Sequence, residues 1–254
     1  LVAISGNGAI TQAGALDVSG TTSLNAGIGA ITLMNSANSW SGAVGLTGGM
    51  TQLRSAGALA LGSSTVTSLA LTSGGAISQT AALNVNGALN VNAGSNAVDL
   101  SHASNQLGGT VGLTAGATQV RSNSALTLGA LDTAALTATS SGALNLGQGS
   151  VDGTLIAASG NGAITQAGAL DVTGTTSLNA GSGTLTLTQA GNTFTGAVSL
   201  TGSATALTNA GALTLGTLST GNLTVNATAA LNLGQGNVGG TLDANSGGAI
   251  TQTG

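Results

Sequence analysis

Apolar and small polar residues alternate along most of the chain, in runs of about five that Gly, Asn or Ser interrupt. Clear examples are "TLTLT" at 184–188, "AVSLT" at 197–201, "ALTLG" at 212–216, "NLTVN" at 222–226 and "ALNLG" at 230–234. A period of two puts successive side chains on opposite faces of a strand, so each run predicts a short β-strand with one buried side. The interrupting residues supply turns, because Gly accepts positive φ and Asn or Ser can cap its own backbone. No window carries the i, i+3, i+4, i+7 stripe of an amphipathic helix.

The pattern also repeats over long distances. "SGNGAITQAGALDV" occupies 5–18 and recurs unchanged at 159–172. The element "GAI(T/S)Q" aligns Ile10, Ile77, Ile164 and Ile250, and the first interval is clearly shorter than the two that follow. Repeat units therefore run approximately over 8–74, 75–161 and 162–247, with 1–7 and 248–254 as partial units. The first unit lacks a block matching "ALNLGQGSVDGTLIAASGNG" and is otherwise intact. A block that can be lost without disturbing its neighbours behaves as one rung of a stacked array. That arithmetic predicts an all-β fold, a right-handed parallel β-helix with three short strands per coil, about 21 residues per coil, and roughly twelve coils. The long unit is then expected to comprise four rungs, and residues 1–254 to form a single array that is a window of a longer rod. End-to-end or lateral self-association is a further expectation, because open strand edges invite pairing.

Composition narrows the function classes. Charged residues make up 3% of the 254 residues, Gly contributes 44, and the hydrophobic share is nonetheless 41%. That share is too high for charge-rich disorder. The only cations are Arg54 and Arg121, which leaves no basic footprint for nucleic acid. No apolar run reaches the roughly 18 residues of a membrane span, so no membrane insertion of this segment is expected. Cysteine is absent, which removes disulfides and thiolate metal sites from consideration.

The motifs "GAITQAGALDVTGTTSLNAG", "TLTLTQAGNTFTGAVSLTG" and "GALTLGTLSTGNLTVNA" resemble the repeat region of large filamentous-haemagglutinin-like bacterial exoproteins. "GAITQ" and "N-x-(F/W)-x-G-A-V" carry the resemblance, which covers essentially the whole chain. It implies an extracellular or cell-surface protein exported by two-partner secretion or a related route. It also implies a role as adhesin, biofilm fibre or stalk, with a host cell, a neighbouring cell or a polysaccharide as partner.

Candidate chemistry is sparse, and neither a cofactor nor an enzymatic activity is expected. Gly234, Gly236 and Gly239 spell G-x-G-x-x-G, but a dinucleotide turn needs a following helix, so a coil turn is expected. Asp99, Ser101 and His102 hold the side-chain types of a hydrolytic triad, but neighbours on one strand point to opposite faces and cannot easily converge. Asp132, Asp152 and Asp171 fall at nearly equal intervals close to one rung, which could stack them on successive rungs as a weak cation site. Trp40, Leu107 and Phe194 fill one equivalent slot, always large and apolar, and are expected in the core or at a corner. Arg54 and Arg121 are likewise equivalent and are expected in turns or on the surface. Two alternatives compete with the structural reading. A β-helical carbohydrate-active enzyme requires clustered carboxylates, and an ice-binding face requires the same Thr pattern on successive rungs.

Overall fold

The computed structural model describes residues 1–253, and among these every regular element is a β-strand. All the strand pairs described below are parallel, each strand lying on the strand one turn earlier, so the chain is a parallel β-solenoid of about 13 turns. The chain divides into two compact units, Leu1–Leu126 and Thr127–Gly254.

In the first unit, one stack of strands runs through Ile10, Ile31, Thr51, Leu69, Leu89 and Val111, each paired with the next. A second runs through Leu59, Ile77, Val98 and Thr118. A third runs through Ala3, Leu24, Leu46, Ser64 and Leu83. The 15-residue strand Leu59–Ser73 bends through all three stacks, pairing with Ile77–Gln79, Leu83–Val85 and Leu89–Asn92 in turn. The second unit has the same plan, and its strand Leu213–Ala227 also makes a full turn, pairing with Leu231–Asn232, Gln235–Val238 and Leu242–Ser246.

Turns are not of equal length. The turn from Leu53 to its partner Leu71 leaves strand only at residues 56–58, and it is shorter than the turn from Thr22 to its partner Val44. The longer turns carry an N-x-G corner. In these the Asn25, Asn92 and Asn179 Oδ1 atoms accept the N–H of Gly27, Gly94 and Gly181, and each of those glycines has a φ of 57°. That conformation disfavours any residue with a Cβ. The mean spacing is accordingly about 19 residues, shorter than the sequence arithmetic predicts, and the chain makes about 13 turns where twelve were expected.

Turn length also changes the meaning of the sequence repeat. From Ile10, three register steps lead through Ile31 and Thr51 to Leu69, but Ile77 lies beyond that point and pairs with Leu59 on the next face. From Ile164, four steps lead through Leu185, Thr205 and Leu223 to Leu242, and Ile250 again lies beyond, paired with Leu231. The short repeat is therefore three turns plus one face and the long repeat four turns plus one face, not four whole rungs. The block missing from the first repeat does correspond to one turn.

Inward positions form aliphatic columns such as Leu53, Leu71, Val91 and Leu113, all at most 3% exposed. Each buried Leu or Val contributes roughly 1.5–3 kcal/mol. Hydroxyls interrupt these columns. Thr176 sits between Leu155 and Val198, Thr205 sits between Leu185 and Leu223, and neither buried Oγ1 has a hydrogen-bond partner. Replacing either with the isosteric Val removes an orphaned hydroxyl and continues the column. Thr176→Val and Thr205→Val should each stabilise the protein by about 1 kcal/mol, read as a higher urea midpoint at unchanged slope. Destabilisation in both variants would contradict this packing.

Candidate functional site

A recurring buried polar cluster joins two motifs that all three copies carry. The Gln of "GAI(T/S)Q" and the first Asn of the N-x-(F/W) element lie 26 residues apart, at Gln12 and Asn38, Gln79 and Asn105, and Gln166 and Asn192. In each pair the two amides face one another and exchange two hydrogen bonds. Gln12 Nε2 donates to Asn38 Oδ1 at 2.7 Å while Asn38 Nδ2 donates to Gln12 Oε1 at 2.9 Å. The corresponding distances are 2.8 and 2.9 Å at Gln79 and Asn105, and 2.7 and 2.8 Å at Gln166 and Asn192.

The remaining capacity of each Asn goes to backbone. Asn38 Oδ1 also accepts the Leu16 N–H, and its Nδ2 donates to the Leu33 carbonyl. Asn105 makes the same contacts with Leu83 and Leu100, and Asn192 with Leu170 and Leu187. The Gln amide is equally occupied, since Gln12 Nε2 donates to the Gly14 carbonyl and its Oε1 accepts the Asn35 N–H. A primary amide offers two donors and two acceptor lone pairs, and these are all used. The three Asn residues are 0% exposed. A buried amide that is fully satisfied specifies one geometry, while loss of one partner strands the rest. The pair clips one turn to the next at the corner where backbone pairing is interrupted.

Two residues beyond each clip Asn lies the large apolar slot. Trp40, Leu107 and Phe194 are 5%, 2% and 1% exposed and stack in register on Val18, Val85 and Val172. They are core residues at the corner, and Trp40 Nε1 donates to the Arg54 carbonyl at 3.0 Å. A sugar-stacking surface at these positions is thereby ruled out.

The other sequence candidates do not converge. Asp132 pairs with Ser150, and Ser150 with Asp171, so two register steps of about 4.8 Å separate the two carboxylates. Asp152 falls outside that column, beyond the strand Gln148–Val151. The expected column of three fails because the turns are unequal. The turn from Asp132 closes early, on Ser150, and the following turn is longer and brings Asp171 onto the same Ser150. Among the described residues no group of three or more His, Cys, Asp or Glu is placed to hold a metal. Asp99 Oδ1 accepts from the Ser101 N–H and hydroxyl, while His102 Nδ1 accepts the Ser104 N–H at 3.2 Å. Asn35 accepts the Ala37 N–H in the same way, so His102 replaces Asn35 as a turn cap. Arg54 and Arg121 lie in different stacks, beside the Leu53–Leu71 and Leu100–Val120 pairs. Gly234 and Gly236, with φ of 62° and 133°, form a corner in which a Cβ would lie 2.2 and 2.1 Å from the Leu215 and Leu218 carbonyl oxygens. The next element is the strand Leu242–Ser246, not a helix. Outward hydroxyl columns are short, since Thr165 and Thr186 are followed by Ala206, Thr224 and Asp243.

The family model for repeats of unknown function (DUF5649) matches residues 1–47, 48–114, 133–201 and 220–254. The chain belongs to this repeat family. No curated protein and no solved structure matches it. In this DUF5649 chain the two most recognisable motifs are therefore the two halves of one structural clip. The sequence carries a signal for it, because the Gln and the Asn keep the same separation in all three copies while the repeat length changes.

Asn192→Ala removes both amide exchanges and leaves Gln166, the Leu170 N–H and the Leu187 carbonyl without that partner. The expected cost is about 3 kcal/mol or more, measured by urea unfolding. Asn192→Asp keeps the shape but loses both donors and buries a charge, so it should be no less damaging. A cost below about 1 kcal/mol for both, the range of a single ordinary hydrogen bond, would show that the clip is dispensable.

Proposed function

We propose that the chain is a structural or adhesive extracellular β-helix, a rigid stalk or fibre segment of a bacterial surface adhesin or biofilm-matrix protein. The clip is the observation that supports this reading most. The residues kept most faithfully between copies are spent on holding one turn to the next, and their polar atoms are all turned inward. Residues spent in this way serve a scaffold. The same two motifs carry the resemblance to filamentous-haemagglutinin-like repeats, which adds secretion through a two-partner route and attachment to a cell or polysaccharide.

Asp132 and Asp171 stand two register steps apart with the neutral Ser150 between them, which removes the close carboxylate pair of a retaining carbohydrate-active enzyme. The interrupted Thr columns weigh against ice binding in the same way. Function in this reading is mechanical: aliphatic columns and parallel backbone bonds resist bending, and the neutral Thr, Ser and Asn surface stays hydrated.

Display of the chain on a non-adherent bacterial host, between a membrane anchor and an epitope tag, tests the proposal. One copy and a tandem of two should carry the tag progressively further from the cell in immunogold micrographs, and the displaying cells should be retained on abiotic or cellular surfaces. Tags that stay at the same distance, on cells that remain non-adherent, would overturn it.

A further inference from the structure

Besides the missing turn, the first repeat differs from its relatives at three surface positions. Ile28 is replaced by Ser95 and Ser182 in the equivalent positions, Met50 by Ala117 and Ala204, and Met34 by Ser101 and Thr188. Three positions that are small in the other copies are thus large and apolar in a single copy. For Ile28, Met50 and Met34 the exposure is 84%, 58% and 37%, so all three are on the surface.

The solenoid brings these separate changes together. Gly49, which precedes Met50, packs against the carbonyl of Ile28 and donates its N–H to the Gly29 carbonyl at 2.7 Å. Leu33 pairs with Leu53 on successive turns, which sets Met34 beside Arg54. Two neighbouring turns therefore present Ile28, Thr32, Met34, Met50, Gln52 and Arg54 on one face and its two corners. The patch holds one of the chain's two cations and no acid, in a protein of net charge −4. Large apolar groups left together in water mark contact sites, and methionine adapts to varied partners.

We propose that Ile28, Met34 and Met50, with Arg54 beside them, form a docking patch for an acidic protein segment that carries large apolar side chains. Charge complementarity selects the partner: Arg54 favours a carboxylate and disfavours a second copy of the same patch, whose own Arg54 would be brought close in a two-fold contact. A sugar lacks the apolar bulk to cover two methionines and an isoleucine. A lipid surface gains little from a single cation, worth about 1 kcal/mol near an anionic bilayer. The inference does not rest on the stalk reading, and it holds or fails separately from surface retention.

The test is selection of a displayed dodecapeptide library against the purified chain, followed by titration of the enriched peptides. Ile28→Ser, Met34→Ser and Met50→Ala restore residues that the other copies carry, so the triple variant should keep the circular dichroism and unfolding midpoint of the parent. Should the triple variant unfold, Met50→Ala and Ile28→Ser singly take its place. Enriched peptides should combine Asp or Glu with large apolar residues, bind the triple variant at least tenfold more weakly, and weaken several-fold with Arg54→Gln. Enrichment that ignores the three substitutions, or no enrichment, would overturn the proposal. So would flotation with mixed phosphatidylcholine and phosphatidylglycerol vesicles, or self-association in sedimentation, if either were abolished by the same three substitutions.

Discussion

Everything in this fold depends on each turn closing in register on the turn before it. Parallel strands bond only to their neighbours along the stack, so a turn that returns one residue early would send its aliphatic side chains outward and its hydroxyls inward. The chain meets this constraint although its turns differ in length, as the Leu53–Leu71 and Thr22–Val44 pairs show. Extra residues are confined to corners, where Asn caps a positive-φ Gly, and the strands themselves keep their alternation. The Gln–Asn clip acts at a different corner, and it supplies bonds between turns where the backbone ladder is broken.

This constraint explains why the repeats tolerate a change of length. A repeat can lose a whole turn, as the first copy has, because the strands above and below then meet as before. Each copy advances by whole turns plus one face, so the motif that starts a repeat lies in a different stack at Ile77 than at Ile10, and at Ile250 than at Ile164. Any surface group carried by every repeat is thereby shown on successive faces. Arg54 and Arg121 behave in this way, as do Trp40 and Leu107 within the core.

Much of this is legible in the sequence. Alternation in runs such as "ALTLG" and "NLTVN" is the direct imprint of a half-buried strand, and the loss of a whole block from the first repeat discloses a stacked unit. Parallel pairing and the burial of Trp40, Leu107 and Phe194 follow from the same reasoning. The Asp column fails because it presumes a uniform rung, whereas the turn from Asp132 to Ser150 is shorter than the turn from Ser150 to Asp171. The clip is hard to read from sequence for a related reason. Its span of 26 residues is one turn plus part of a corner, a distance at which no strand pairs, and a buried amide pair leaves no hydrophobic pattern.

The advance of one face per repeat is the claim from which these relations follow, and the cysteine-free chain allows it to be tested by cross-linking. Gln52 and Ala70 pair across adjacent turns, whereas Ser78 would take the place of Ala70 on Gln52 if the repeat were a whole number of turns. The double variant Gln52→Cys/Ala70→Cys should form an intramolecular disulfide under mild oxidation, since parallel neighbours at about 4.8 Å fall within disulfide reach. The variant Gln52→Cys/Ser78→Cys should remain reduced under the same conditions. Cross-linking of the second pair and not the first would contradict the account.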